Sequence, residues 1–134
     1  MLLSEVKKNI ERKMSQSYSM PQSDNELSMY VYEALYYVAA QCEPGVLIQK
    51  YDGEDVDVLR DLPDNFCIVK PEYPDFSISN RHLNIDDGDL CFAVIAATCF
   101  ILSGDVKFDT LCSRWISIYR KNKLNAYACE EVTE

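Results

Sequence analysis

The stretch Leu90-Cys91-Phe92-Ala93-Val94-Ile95-Ala96-Ala97-Thr98-Cys99-Phe100-Ile101-Leu102 decides the reading of this chain. It holds thirteen residues without a charge. Its alanines and its length favour a helix over a strand, and the lack of any polar face predicts burial on nearly all sides. It is too short to cross a bilayer, which takes roughly 20 apolar residues in a helix. Upstream, Asp86-Asp87-Gly88-Asp89 concentrates carboxylates where a helix start carries partial positive charge, and Asp86 with Asp89 reads as an acidic capping pair. Downstream, Gly104 ends the run. The segment is expected to be the centre of the fold, with the remaining helices settled around it.

Immediately after the turn Ser103-Gly104-Asp105, the residues Phe108, Leu111, Cys112, Trp115, Ile116 and Tyr119 recur at helical spacing and predict a helix over about 105–122, with a brief extension that frays near Glu130-Glu131. Before the central stretch, Ser23 and Glu26 fit a capping box, with Asp24 as a competing cap. Leu27, Tyr30, Val31, Ala34, Leu35, Val38 and Cys42 then repeat at three and four residues until Pro44-Gly45. Leu3, Val6, Ile10 and Met14 mark a first helix over about 3–16.

The fold class is therefore mainly α: a small bundle of about four helices. Between its second and third helices lies an irregular or two-stranded insert. Val46–Tyr51 and Phe66–Val69 read as strands, and the acidic-apolar stretch between them reads as a loop. Whether 46–70 forms a hairpin or an ordered loop is left open by the pattern. About forty residues without a long element exceed the usual connection of roughly 4–6, so the insert is the first place to expect partner contacts.

Length and composition agree. The 134 residues suit one domain, 1–134, and 48% hydrophobic content fills one core. Possible docking extensions lie at 1–20 and 123–134. Thirteen Lys+Arg against twenty-two Asp+Glu give a net charge of −9. Such a surface repels phosphate backbones and disfavours a general reader of nucleic acid. The charge is also split. Residues 51–64 hold six acids and one arginine, whereas 106–129 hold five cations and one acid. Dipole compensation at a helix end accounts for Lys121 and Lys123 locally. The segregation as a whole suits head-to-tail assembly, which closes into a ring when the rotation permits.

Chemistry is poorly signalled. The six cysteines include no CxxC, and their spacing does not match a zinc knuckle. They read as reduced structural thiols. His82, the only histidine, lies in a loop beside Arg81. Neither Asp86–Asp89 nor Asp52–Asp57 matches a calcium loop, and no phosphate-binding glycine motif or nucleophile elbow occurs. No catalytic residue, metal or cofactor is expected. The N-terminus lacks the apolar core of a secretory signal.

The capped helix SDNELSMYVYEALYYVAAQCEPG, the long insert, the buried helix DDGDLCFAVIAATCFILSGD and the closing helix FDTLCSRWISIYRKNKL together resemble the head-to-tail connector, or adaptor, proteins of tailed bacteriophages. The resemblance is one of helix order and length. It implies a small, mostly helical, non-enzymatic virion protein, made in the host cytoplasm, that forms a homo-oligomeric ring beneath the portal protein. Neighbouring tail or adaptor proteins would be its partners, DNA would pass nearby without specific binding, and no membrane would be involved. Tyr36, Tyr37, Asp55, Asp57, Arg120 and Lys121 are the expected interface residues. The alternatives are an acidic protein-binding adaptor, a DNA-mimicking inhibitor and, least favoured, a small enzyme.

Overall fold

A computed structural model describes residues 1–15, 17–51, 57–78, 80–85 and 87–132, with side chains described as far as Lys123. Within them the chain is mainly α, with helices α1 (Leu3–Met14), α2 (Asp24–Ala39), α3 (Gly88–Ser103) and α4 (Val106–Val132). Three short strands, β1 (Ile48–Lys50), β2 (Val58–Asp61) and β3 (Phe66–Val69), fall between α2 and α3.

Helix α3 lies inside and packs against α1, α2 and α4. Leu90, Cys91 and every residue from Ala93 to Cys99 are buried. The other helices each supply one apolar stripe: Leu3, Val6, Ile10 and Met14 from α1; Leu27, Val31, Ala34, Leu35 and Val38 from α2; Phe108, Cys112 and Ile116 from α4. Burying a side chain of this size stabilises by roughly 1.5–3 kcal/mol, so this apolar centre dominates the fold. Thr98 satisfies its hydroxyl locally by donating to Val94 O at 2.8 Å. Gly104 closes α3 at φ 71°, a left-handed conformation that glycine adopts without a Cβ clash, and its N–H reaches Phe100 O at 2.7 Å.

The ends of the helices show how local chemistry sets their boundaries. Ser23 Oγ accepts from Glu26 N at 3.2 Å, as the capping box requires. The Glu26 carboxylate accepts from Gln22 N, one residue beyond the usual reciprocal partner. Asp24 pairs with Lys7 at 2.9 Å and ties α2 to α1. Asp105 accepts from Lys107 N at 3.1 Å at the start of α4 and from the Tyr18 hydroxyl at 2.5 Å.

Two expectations are corrected. The insert is a three-stranded antiparallel sheet in the order β1-β3-β2, instead of irregular or two-stranded. Its third member, β2, pairs through Val58–Val69 and Asp61–Cys67 with an irregularity between Val58 and Arg60. Next, α4 continues to Val132, because nothing after Asn122 breaks it: the following residues include neither glycine nor proline. Lys121 and Lys123 are consequently mid-helix and do not compensate the end of α4. The Asp86–Asp89 capping pair falls on Asp86, which lies outside the described residues; the Asp89 carboxylate accepts from Asn122 at 2.9 Å.

The sheet is docked on the body rather than standing apart from it. Leu47, Cys67 and Ile68 are buried, as are Phe76, Leu83 and Ile85 in the segment that follows. Ser28 Oγ accepts from Phe76 N at 2.9 Å and pins that segment to α2. The segment also holds the N-terminus: Leu3 N donates to Arg81 O at 2.8 Å, and Leu83 N to Met1 O at 2.9 Å. Residues 1–14 therefore lie against their own domain through the α1 stripe, leaving Lys8, Glu11 and Arg12 exposed.

Candidate interaction surface

Two places collect the polar and aromatic residues that the core leaves over. The first is the C-terminal end of α2. A helix end leaves backbone carbonyls without intrahelical donors and carries partial negative charge. Here cations from two other elements supply the donors. Arg60 of β2 donates to Ala39 O and Cys42 O, and Arg120 of α4 donates to Gln41 O. Lys123 reaches Glu43 O at 3.4 Å. The Tyr119 hydroxyl donates to the same carbonyl at 3.4 Å and accepts from Gly45 N at 3.0 Å. Arg60 also faces the Glu43 carboxylate at 3.7 Å. The sheet, α2 and α4 are thus joined at one point by charge-assisted bonds.

Cys42 is buried at this junction. Burial pushes its thiol up to about 11, although Arg120, Arg60 and Lys123 pull the other way. Desolvation wins over three nearby cations, so the sulfur stays protonated and unreactive near neutrality. Burial likewise raises Cys99 to about 11 and Cys112 to about 12. These three cysteines behave as small apolar side chains, not nucleophiles.

The second place is the tyrosine-rich flank of α2. Tyr32 packs edge-on against Tyr36 at 5.1 Å and against Tyr73 at 5.2 Å. The Tyr32 and Tyr36 hydroxyls lie 3.3 Å apart. Their shared hydrogen bond, followed by desolvation, raises the Tyr32 hydroxyl above the ordinary tyrosine value. Tyr73 is exposed, while Tyr32 and Tyr36 are half-buried. Such a cluster offers apolar rings with polar tips, the composition that protein interfaces favour.

Of the expected interface residues, Tyr36 and Arg120 fall in these places. Tyr36 belongs to the aromatic cluster. Tyr37 turns inward and donates to Asp109 Oδ1 at 2.5 Å, linking α2 to α4. Asp57 is exposed, and its backbone carbonyl accepts from Lys70 N at 2.8 Å. Asp55 lies outside the described residues. Arg120 serves the end of α2, and Lys121 is exposed on α4. Sequence reading missed Arg60 and Tyr73. Arg60 stood in an apparent loop with no sign of its target carbonyls. Tyr73 lies between Pro71 and Pro74 and belongs to no periodic stretch.

A cleft of about 470 Å³ between α1 and the start of α2 is lined by Lys7, Glu11 and Asp24 among others. Its lysine is bonded to Asp24, which raises the ammonium pKa and holds it charged, the opposite of what a lysine base or nucleophile needs. His82 is exposed, in a bridge with Leu2. Among the described residues no group of three or more His, Cys, Asp or Glu is placed to hold a metal ion. No helix among them is long and apolar enough to cross a membrane. Known proteins do not narrow the reading: no family model, curated protein or solved structure matches the chain.

Proposed function

We propose that the chain is a structural subunit of a ring at the head-tail junction of a tailed bacteriophage, close to the portal protein and around the DNA channel. The observation that carries the reading is the layout of a rigid helical frame built on α3, with the acidic insert docked as a sheet at the end of α2. The frame keeps the subunit's shape under load, because its contacts are apolar and distributed over four helices. The 46–83 segment and the chain ends meet neighbouring proteins. The exposed carboxylates of Asp57, Asp61 and Asp64, turned to the channel, would let DNA slide past, since like charge offers no counterion release on contact.

The experiment is assembly with the portal protein encoded in the same genome, followed by native mass spectrometry and electron microscopy. A cyclic layer of this chain on the portal ring is the expected result. A chain that remains unbound to the portal, or that instead forms a stoichiometric complex with a cellular DNA-binding enzyme, overturns the proposal.

A further inference from the structure

Two exposed rows on different helices have matching geometry and opposite charge. On α2, Glu26, Met29, Tyr30 and Glu33 are all exposed, with Met29 at 65%. They form one face because residues three, four and seven apart align along a helix. On α4, Lys107, Thr110, Leu111 and Arg114 have the same offsets. Lys107, Thr110 and Arg114 are exposed, Leu111 is half-buried, and Val106 beside them is 68% exposed. Each row therefore presents apolar or neutral residues between two like charges, acids on one helix and bases on the other. The charges are seven residues apart in both rows, about 10.5 Å along the axis. Acid consequently meets base whether the two helices lie parallel or antiparallel.

Within one chain the rows do not meet. The inner face of α2 is spent on the core through Leu27, Val31, Ala34 and Leu35, and the row at 26–33 points away from it. The contact between α2 and α4 is made further along, where Tyr37 bonds Asp109 and Arg120 bonds Gln41. The internal partners of the row residues leave them available. Glu26 accepts a long bond from Gln22 N. Lys107 lies 3.8 Å from Asp105 and over the rings of Tyr18 and Phe108, yet its side chain remains 64% exposed.

We propose that the Glu26-Met29-Tyr30-Glu33 row docks on the Lys107-Thr110-Leu111-Arg114 row of a second copy of this chain. The occupant is a second copy because each row finds its complement, in spacing and in sign, on the same molecule. A contact between two different patches is heterologous and propagates from subunit to subunit, closing into a ring when the rotation allows. The inference rests on the ring reading above and supplies its subunit-to-subunit contact. Two helical turns are small beside the roughly 800 Å² per partner of a stable interface, so each contact is weak and salt-sensitive.

The test is sedimentation velocity on the full chain at about 0.01 M ionic strength, where screening extends about 30 Å, and again near 0.15 M, where it falls to about 8 Å. The unmodified chain self-associates, less so at the higher salt. Glu26→Lys with Glu33→Lys makes both rows basic and weakens association about tenfold or more; Lys107→Glu with Arg114→Glu makes both acidic and does the same. Mixing the two variants restores association, and so does the chain carrying all four changes. Glu33→Lys alone leaves the Ser23–Glu26 cap intact and shows the weakening without loosening the helix. The inference is overturned if the face variants associate like the unmodified chain, if the fourfold variant stays monomeric, or if the unmodified chain is monomeric at about 1 mM and low salt. A ring on the portal together with any of those three results retains the proposed function and discards this contact.

Discussion

The helical frame and the sheet insert are held together by different means. In the frame, α3 meets three partners through many apolar side chains, and Leu90, Cys91 and Ala93 to Cys99 have almost no access to solvent. The sheet has three strands of three or four residues, with Ile68 and Leu47 on the apolar body and Arg60 gripping the end of α2. One region spreads its stability over many contacts. The other concentrates it in a few, and a single substitution can therefore separate sheet from frame.

The largest effect is expected at the centre of the frame. Ile95→Ala removes fully buried methyl groups and leaves a cavity, at a cost of about 2–5 kcal/mol. Chemical denaturation followed by circular dichroism should show the loss as a single lowered midpoint. A change below about 1 kcal/mol would place Ile95 in surroundings that collapse freely, against the packing described.

Smaller and more local is Arg60→Leu. It withdraws two charge-assisted bonds from Ala39 O and Cys42 O, for about 1–3 kcal/mol. Amide exchange should quicken in β1 to β3 while α3 keeps its protection. Equal acceleration in α3 would show that the two regions open together and dissolve the contrast between them.

The smallest effect is a pH dependence at the start of α4. The Tyr18 hydroxyl bond, followed by the Lys107 amide bond, holds the Asp105 carboxyl below the ordinary value of 3.8. A carboxyl depressed in the folded state contributes stability above its unfolded value, and this is lost as pH falls through the lower folded one. Asp105→Asn should therefore flatten the decline in denaturation midpoint below about pH 4. Asp75, also held low by Ser77, remains to titrate in both proteins, so only part of the decline disappears. An unchanged decline would show that the bonds to Asp105 do not form in solution.

Legibility from sequence follows the same division. The helices of the frame could be read because burial imposes a 3.6-residue period on Leu27 to Val38 and on Phe108 to Tyr119, and because the alanines and length of the thirteen uncharged residues favour a helix for α3. Strand β2 was hidden. Val58-Leu59-Arg60-Asp61 does not alternate cleanly, and the irregularity between Val58 and Arg60 shifts its register. A usable signal was present next to it: Asp64 and Asn65 both have φ of 63°, the left-handed pair that makes a tight hairpin turn, and Asp and Asn are the side chains that tolerate it. The candidate surface was legible only in part. Tyr36 reads as an interface residue and lies in the aromatic cluster on α2. Arg120 read as a charge for a neighbour, and its target proved to be a carbonyl at the end of α2, more than seventy residues away in the chain. Long-range polar pairing of this kind leaves no local period.

Native-state hydrogen exchange on the unmodified chain measures the contrast directly. The account predicts that amides from Val94 to Cys99 open only with global unfolding, and that those of β1, β2 and β3 open at lower free energy with α3 still protected. Strand amides as slow as those of α3, or α3 amides that exchange first, would contradict it.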